Sequence, residues 1–98
     1  MPYIPQKDRP ELDKHIDALA EEIKKKTKES GNEAGFAGLL NYSVTRLILK
    51  IISAKRYWVI ALITGVLKNI SQEFYRRFAA PYEDEQIKKS GDVYPEGK

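Results

Sequence analysis

Residues 58–94 read WVIALITGVLKNISQEFYRRFAAPYEDEQIKKSGDVY and contain the longest helical pattern in the chain. Its apolar side chains recur at steps of three and four, the spacing of one face of an α-helix. They are Val59, Leu62, Ile63, Val66, Leu67, Ile70, Phe74 and Phe78. Pro81 is expected to end this helix, because its ring clashes with the preceding turn and its nitrogen has no hydrogen to donate. Ala80 is expected to leave helical geometry because it precedes a proline. The pattern therefore predicts a helix from about Trp58 to about Ala79.

A first helix is predicted upstream, from about Arg9 to about Thr27. Asp8 and Glu11 have the spacing of a capping box, and Pro10 falls in the first turn, where its missing donor does no harm. A narrow apolar stripe follows at helical spacing. It consists of Leu12, Ile16, Leu19, Ala20 and Ile23.

A loop and a second helix lie between these two. The loop ESGNEAGFAG, from Glu29 to Gly38, contains three glycines, and we expect Gly31 to follow the end of the first helix. The second helix is predicted from Leu39 to about Ala54. Its wide apolar stripe indicates a central or interfacial position. It contains Leu40, Val44, Leu47, Ile48, Ile51 and Ile52.

The joint between the second and third helices has two interpretations. No glycine or proline interrupts it, so one continuous helix of about forty residues, about 60 Å long, would also fit the pattern. We favour a break near residues 55–57, because ordinary globular helices run to about 20 residues. The fold predicted for residues 1–98 is then a single all-α domain. It is a small helical bundle of three main helices plus a short C-terminal helix at residues 82–89.

The two ends of the sequence are predicted to be non-helical. Residues 1–7 contain Pro2 and Pro5, which favour an extended N-terminal segment. Tyr3 and Ile4 are apolar enough to dock on a core. Residues 95–98 are predicted to form a disordered tail.

The amino-acid composition limits the class of protein to which the chain can belong. The chain has 98 residues, of which 42% are hydrophobic and 32% charged, as in globular domains. A chain of this length has a marginal core, which favours oligomerisation. The 17 basic and 14 acidic residues are interspersed, so the net charge of +3 does not mark a dedicated nucleic-acid binder.

Compartment and membrane association follow from the same composition. The chain lacks cysteine, which excludes disulfides and thiolate metal sites. The longest apolar run, residues 59–67, is far short of the ~20 residues that a membrane span needs. The opening MPYIPQKDRP has no apolar core of signal-peptide length. We therefore expect a soluble cytoplasmic protein without membrane partners.

Three carboxylates are candidates for a metal site, namely Glu73, Glu83 and Asp84. Small helical nucleotide pyrophosphohydrolases hold Mg²⁺ with acidic pairs on facing helices, and carboxylates suit that ion. Here the second helix carries no acidic residue. The serines also lack a nearby base for acyl transfer. The sequence therefore favours a protein that is not an enzyme and predicts neither a metal nor a cofactor, with metal-dependent hydrolysis as the second alternative.

Arginine and tyrosine are combined near the end of the third helix. The candidates for anion binding are Arg46, Arg76, Arg77, Tyr75 and Tyr82. Guanidinium groups suit phosphate and stack on bases, so a module that binds RNA, nucleotide or another phosphate is the first alternative. The same side chains also suit an ion-pair cluster with Glu73.

Several aromatic residues lie beside the apolar stripes. They include Tyr42, Tyr57, Trp58, Tyr75 and Tyr82. Aromatic residues and arginine are enriched in the cores of protein interfaces. The leading hypothesis is an uncharacterised structural or interaction module that completes its helical bundle as a homodimer, with an adhesive face on the second and third helices.

Several short motifs along the chain resemble those of a protein family. These are MPYI, NYSVTRL, GVLKNISQEFYRR, AAPYEDEQI and GDVY. They resemble an uncharacterised family of small helical proteins of prokaryotes and their viruses. The resemblance implies a coherent helical fold and carries over no functional residue.

Overall fold

The computed structural model describes residues 3–95, and all regular structure in this part of the chain is helical. The four α-helices are α1 (Arg9–Ser30), α2 (Phe36–Ile51), α3 (Tyr57–Phe74) and α4 (Ala80–Ser90). Three short segments complete the structure, namely 3-10 turns at Gln6–Asp8 and Glu33–Gly35 and a π turn at Tyr75–Ala79. The prediction of an all-α fold with three main helices and a short C-terminal helix is confirmed.

The start of α1 differs from the predicted capping box. Asp8 makes no side-chain capping bond, because it is the last residue of a 3-10 turn and has the near-helical angles φ −95° and ψ −1°. An N-cap side chain ordinarily extends from β-region backbone. The segment predicted to be extended thus contains part of a 3-10 turn at Gln6–Asp8. Met1 and Pro2 lie outside the described residues, as do residues 96–98 of the predicted tail.

Tyr3 and Ile4 lie beside the start of α1. Arg9 Nε donates a 3.1 Å hydrogen bond to the carbonyl oxygen of Ile4. A shallow groove at this place is lined by Tyr3, Ile4, Arg9, Leu12, Asp13 and Ile16. Tyr3 and Ile4 remain about half exposed, so this contact covers them only in part.

The connection between α1 and α2 is shorter than the predicted loop of residues 29–38. Helix α1 continues to Ser30, and Gly31 follows it with the left-handed φ of 72°, as expected. Ser30 Oγ donates to the Thr27 carbonyl at 2.7 Å, and Asn32 Oδ1 accepts from the Ala34 amide at 3.0 Å. Ser30 thus satisfies a carbonyl near the end of α1, Asn32 caps the 3-10 turn, and α2 begins directly after that turn at Phe36.

The break between the second and third helices is confirmed. Helix α2 ends at Ile51, three residues before the predicted end at Ala54, and α3 begins at Tyr57. Arg56 has the extended angles φ −128° and ψ 146°. A continuous helix through this joint is therefore wrong.

The predicted end of the third helix before Pro81 needs correction. Ala80 has φ −63° and ψ −45°, so it is helical, and Pro81 lies in the first turn of α4. The Ala80 amide donates to the carbonyl of Tyr75, five residues back, in place of the usual four. The chain therefore stays helical through the π turn, because widening the turn accommodates a residue that an α-helix excludes.

The chain divides into two compact units, Met1–Ile51 and Ile52–Lys98. In the first unit, α1 contacts α2 and both 3-10 turns. Ile23 and Thr27 of α1 and Leu39 and Ser43 of α2 are half-buried there. In the second unit, α3 joins the π turn and the π turn joins α4. That residues 1–98 form a single domain stays a prediction.

No side chain among residues 3–95 is buried. The apolar stripe of α2 is between 37% and 67% exposed at Phe36, Leu40, Val44, Leu47 and Ile51. The stripe of α3 is between 41% and 61% exposed at Leu62, Val66, Leu67 and Ile70, whereas Val59 and Ile63 are half-buried. Contacts within each unit therefore cover the apolar faces only partly.

Residues 3–95 were also searched for membrane spans. None of their helices combines the length and the apolar character needed to cross a bilayer.

Candidate functional site

Charged and aromatic side chains lie around the π turn, and the carboxylate of Glu73 contacts both arginines of that turn. Arg76 Nη2 lies 3.1 Å and 3.0 Å from the two carboxylate oxygens of Glu73, and Arg77 Nη1 lies 4.0 Å from one of them. Glu73 is half-buried, whereas both guanidinium groups are exposed. Exposed pairs of this kind contribute about 0.2–1 kcal/mol each. The carboxylate therefore offsets part of the positive charge that the sequence places here.

A hydrogen bond crosses the π turn. Tyr75 Oη donates to Glu83 Oε1 at 3.0 Å, over a separation of eight residues. This bond and the negative charge of Glu83 raise the pKa of Tyr75 above its ordinary value of 10.0, with smaller effects of desolvation, Asp84 and Tyr94. The bond requires the phenol to keep its proton. Its contribution to stability is therefore present below pH 10.0 and is lost as the pH rises through the higher pKa of the folded state.

Replacing Glu83 by glutamine should lower the pKa of Tyr75 toward 10.0. The substitution removes the charge and weakens the acceptor. The measurement is an NMR titration of tyrosine labelled with ¹³C at Cζ, in which Tyr75→Phe identifies the resonance. Glu85→Gln removes a neighbouring charge that does not contact the phenol and serves as the control. Equal pKa values in the wild type and the Glu83→Gln variant would contradict the bond.

Two phenylalanine rings stack on the same segment. The ring centroids of Phe74 and Phe78 lie 5.0 Å apart with an interplanar angle of 13°. Both rings are largely exposed, as is the neighbouring Tyr82. The π turn thus carries an open aromatic surface next to the paired arginines.

The predicted anion-binding residues are divided between the two units. Arg46 lies on α2 in the first unit, whereas Tyr75, Arg76 and Arg77 lie on the π turn and Tyr82 in the first turn of α4. Residues 73–85 hold two arginines and four carboxylates, a net charge of −2. Such a segment repels a polyanion more than it attracts one. The anion site stays a prediction.

Two of the three candidate metal ligands contact other side chains. Glu73 pairs with two arginines, and Glu83 accepts a hydrogen bond from Tyr75. The third, Asp84, lies in α4. Within residues 3–95, no three His, Cys, Asp or Glu side chains are grouped as a metal ion would require. A divalent ion such as Mg²⁺ needs several free oxygen ligands. The metal-dependent alternative stays a prediction.

Comparison with known proteins places the chain in a family. The model of a domain of unknown function (DUF6899) matches residues 1–93. The chain belongs to this family. The resemblance to an uncharacterised family that the motifs indicated is thus confirmed. No curated protein and no solved structure matches the chain.

The DUF6899 sequence contains a signal that the helical analysis missed. Phe74, Phe78 and Tyr82 are spaced by four residues across Pro81. The apolar pattern continues past the proline because the helix widens into the π turn at Tyr75–Ala79. The bond from Tyr75 to Glu83 crosses that turn.

Proposed function

We propose that this DUF6899 protein is a small structural or interaction module that completes its core by homo-oligomerisation, as a homodimer. One observation carries the proposal: no side chain among residues 3–95 is buried, although 42% of the chain is hydrophobic. Burial of apolar surface is the dominant favourable term in folding. A chain with helical faces of this kind reaches a stable state by covering them against another chain.

The second unit alone also supports the proposal of self-association. It consists of α3, the π turn and α4 in sequence, and its contacts join each of these segments to the next. Contacts of this kind run along the chain and leave the apolar face of α3 largely open within this unit. Helices in proteins are stabilised mainly by packing of an amphipathic face rather than by intrinsic propensity. The apolar face of α3 therefore needs a partner.

The exposed aromatic residues have the composition of an interface. Tyr57 and Trp58 begin α3 and are 86% and 60% exposed, and Tyr42 on α2 is 66% exposed. Large aromatic side chains are enriched where interfaces are fully desolvated. Their exposure supports an adhesive surface on α2 and another on α3, each described within its own unit.

Light scattering coupled to size-exclusion chromatography tests the proposal. At micromolar concentration the wild-type chain should elute with at least twice the 11.2 kDa mass of one chain. A mass of one chain across the concentration range would overturn the proposal. Adding single-stranded RNA to the same run separates the phosphate-binding alternative, which predicts a monomer whose mass rises only with RNA.

A further inference from the structure

Residues 52–56 connect α2 to α3 and form the non-helical start of the second unit. Residues 53–56 of this connector are exposed, and Arg56 has the extended angles φ −128° and ψ 146°. Two adjacent basic residues, Lys55 and Arg56, end the connector. It therefore presents cationic side chains on extended backbone that is open to solvent.

The other basic residues of the described chain are held in helical structure. Within residues 3–95, Lys55 and Arg56 are the only lysine and arginine that lie outside a helix, a 3-10 turn or the π turn. The lysines of residues 24–26 lie in α1, the arginines of residues 76–77 in the π turn and the lysines of residues 88–89 in α4. The sequence thus contains several runs of basic residues, and the fold leaves one of them in extended backbone.

This difference decides where an endopeptidase can cut the folded chain. Exposed irregular segments are the preferred sites of proteolytic nicking, because the enzyme must surround a stretch of extended backbone. In a helix the amide and carbonyl groups are bonded to residues four positions away. Cutting there requires the helix to open first.

Two hydrogen bonds distinguish the two peptide bonds that follow a basic residue of the connector. The carbonyl oxygen of Arg56 accepts from the amide of Ile60 at 3.1 Å, which ties the bond between Arg56 and Tyr57 to the first turn of α3. The Arg56 amide donates to the carbonyl of Ala54 at 3.1 Å. Opening that short turn breaks no bond of either helix, so the preceding peptide bond is the more accessible one.

We infer that the peptide bond between Lys55 and Arg56 is the site at which an endopeptidase specific for lysine cuts the folded chain. The exposed side chain of Lys55 fits the acidic pocket by which such enzymes select a cation. Water adds across the C–N bond, which breaks to leave a carboxylate on Lys55 and an ammonium group on Arg56. The cut interrupts no helix. This site does not depend on the proposed self-association.

Limited digestion of the full-length native chain with a purified lysine-specific endopeptidase tests the inference. At a low ratio of enzyme to chain, intact-mass spectrometry should detect residues 1–55 and 56–98 as the first products. Circular dichroism of the cut sample should retain the helical signal. A first cut after any other lysine, or a chain that resists digestion, would overturn the inference.

Lys55→Gln removes the cation that the enzyme recognises. The initial rate of cutting should fall by at least about tenfold, since the pocket for this side chain sets specificity. Lys50→Gln is the matched control, because it makes the same substitution in the last turn of α2. It should leave the rate unchanged. An unchanged rate in Lys55→Gln, or an equal loss in Lys50→Gln, would contradict the assigned site.

Digestion in urea separates conformation from local sequence. The unfolded chain has no helices to protect its lysines, so the preference for Lys55 should disappear. A preference that persists in urea would assign it to the neighbouring residues and overturn the structural argument. Light scattering measures self-association independently. A monomer that is cut after Lys55 would refute the proposed function and leave this site standing, whereas an oligomer that resists the enzyme would do the reverse.

Discussion

Replacing Val66 by aspartate should abolish self-association of the chain. Val66 lies near the middle of the apolar face of α3 and is 55% exposed before any partner covers it. An ionised carboxylate that is buried without a partner costs several kcal/mol. We expect the dissociation constant to rise by at least about a hundredfold, which corresponds to about 2.7 kcal/mol. Sedimentation velocity over a concentration series measures this change.

Lys68→Asp is the control for the Val66 variant. It places the same residue two positions further along α3, on roughly the opposite side of the helix, and both variants incur the same low helix propensity of aspartate. The control should keep the mass of the wild-type assembly. Equal loss of association in both variants would show that the charge or the helix, rather than the apolar face, is responsible, and would contradict the proposal.

The helices were predictable because their signals are local. Steps of three and four residues located α1, α2 and α3, and Gly31 was correctly placed after α1 because its left-handed backbone favours glycine. The loop between α1 and α2 was predicted too long. Its glycines suggested irregular backbone, but Ser30 donates to a carbonyl at the end of α1 and Asn32 caps the 3-10 turn at Glu33–Gly35, which α2 follows directly.

An analysis based on 3.6 residues per turn could not predict which side chains meet at the π turn. Pro81 excludes an α-helical bond but not a helix that closes over five residues. Once the turn widens, the pairs that meet are separated by eight residues, as Tyr75 and Glu83 are. The predicted pairing of Arg76 and Arg77 with Glu73 uses ordinary three- and four-residue steps, and the structure contains it.

Folding and association of this chain should be one linked equilibrium. Because no side chain of residues 3–95 is fully buried within the single chain, we expect association to supply a large share of the hydrophobic burial. Obligate dimers of this kind often have no stable folded monomer. Their stability therefore depends on protein concentration.

Thermal unfolding followed by circular dichroism should show this dependence. For a dimer, a hundredfold rise in chain concentration stabilises the assembly by about 2.7 kcal/mol. In a dimer of about 200 residues this should raise the melting temperature by roughly 5–10 °C. Lys68→Asp should show the same dependence, whereas Val66→Asp should have little helical signal to melt at any concentration. A cooperative transition of the wild type at a temperature independent of concentration would require a core within one chain. Such a core would contradict both the linkage and the interface on α3.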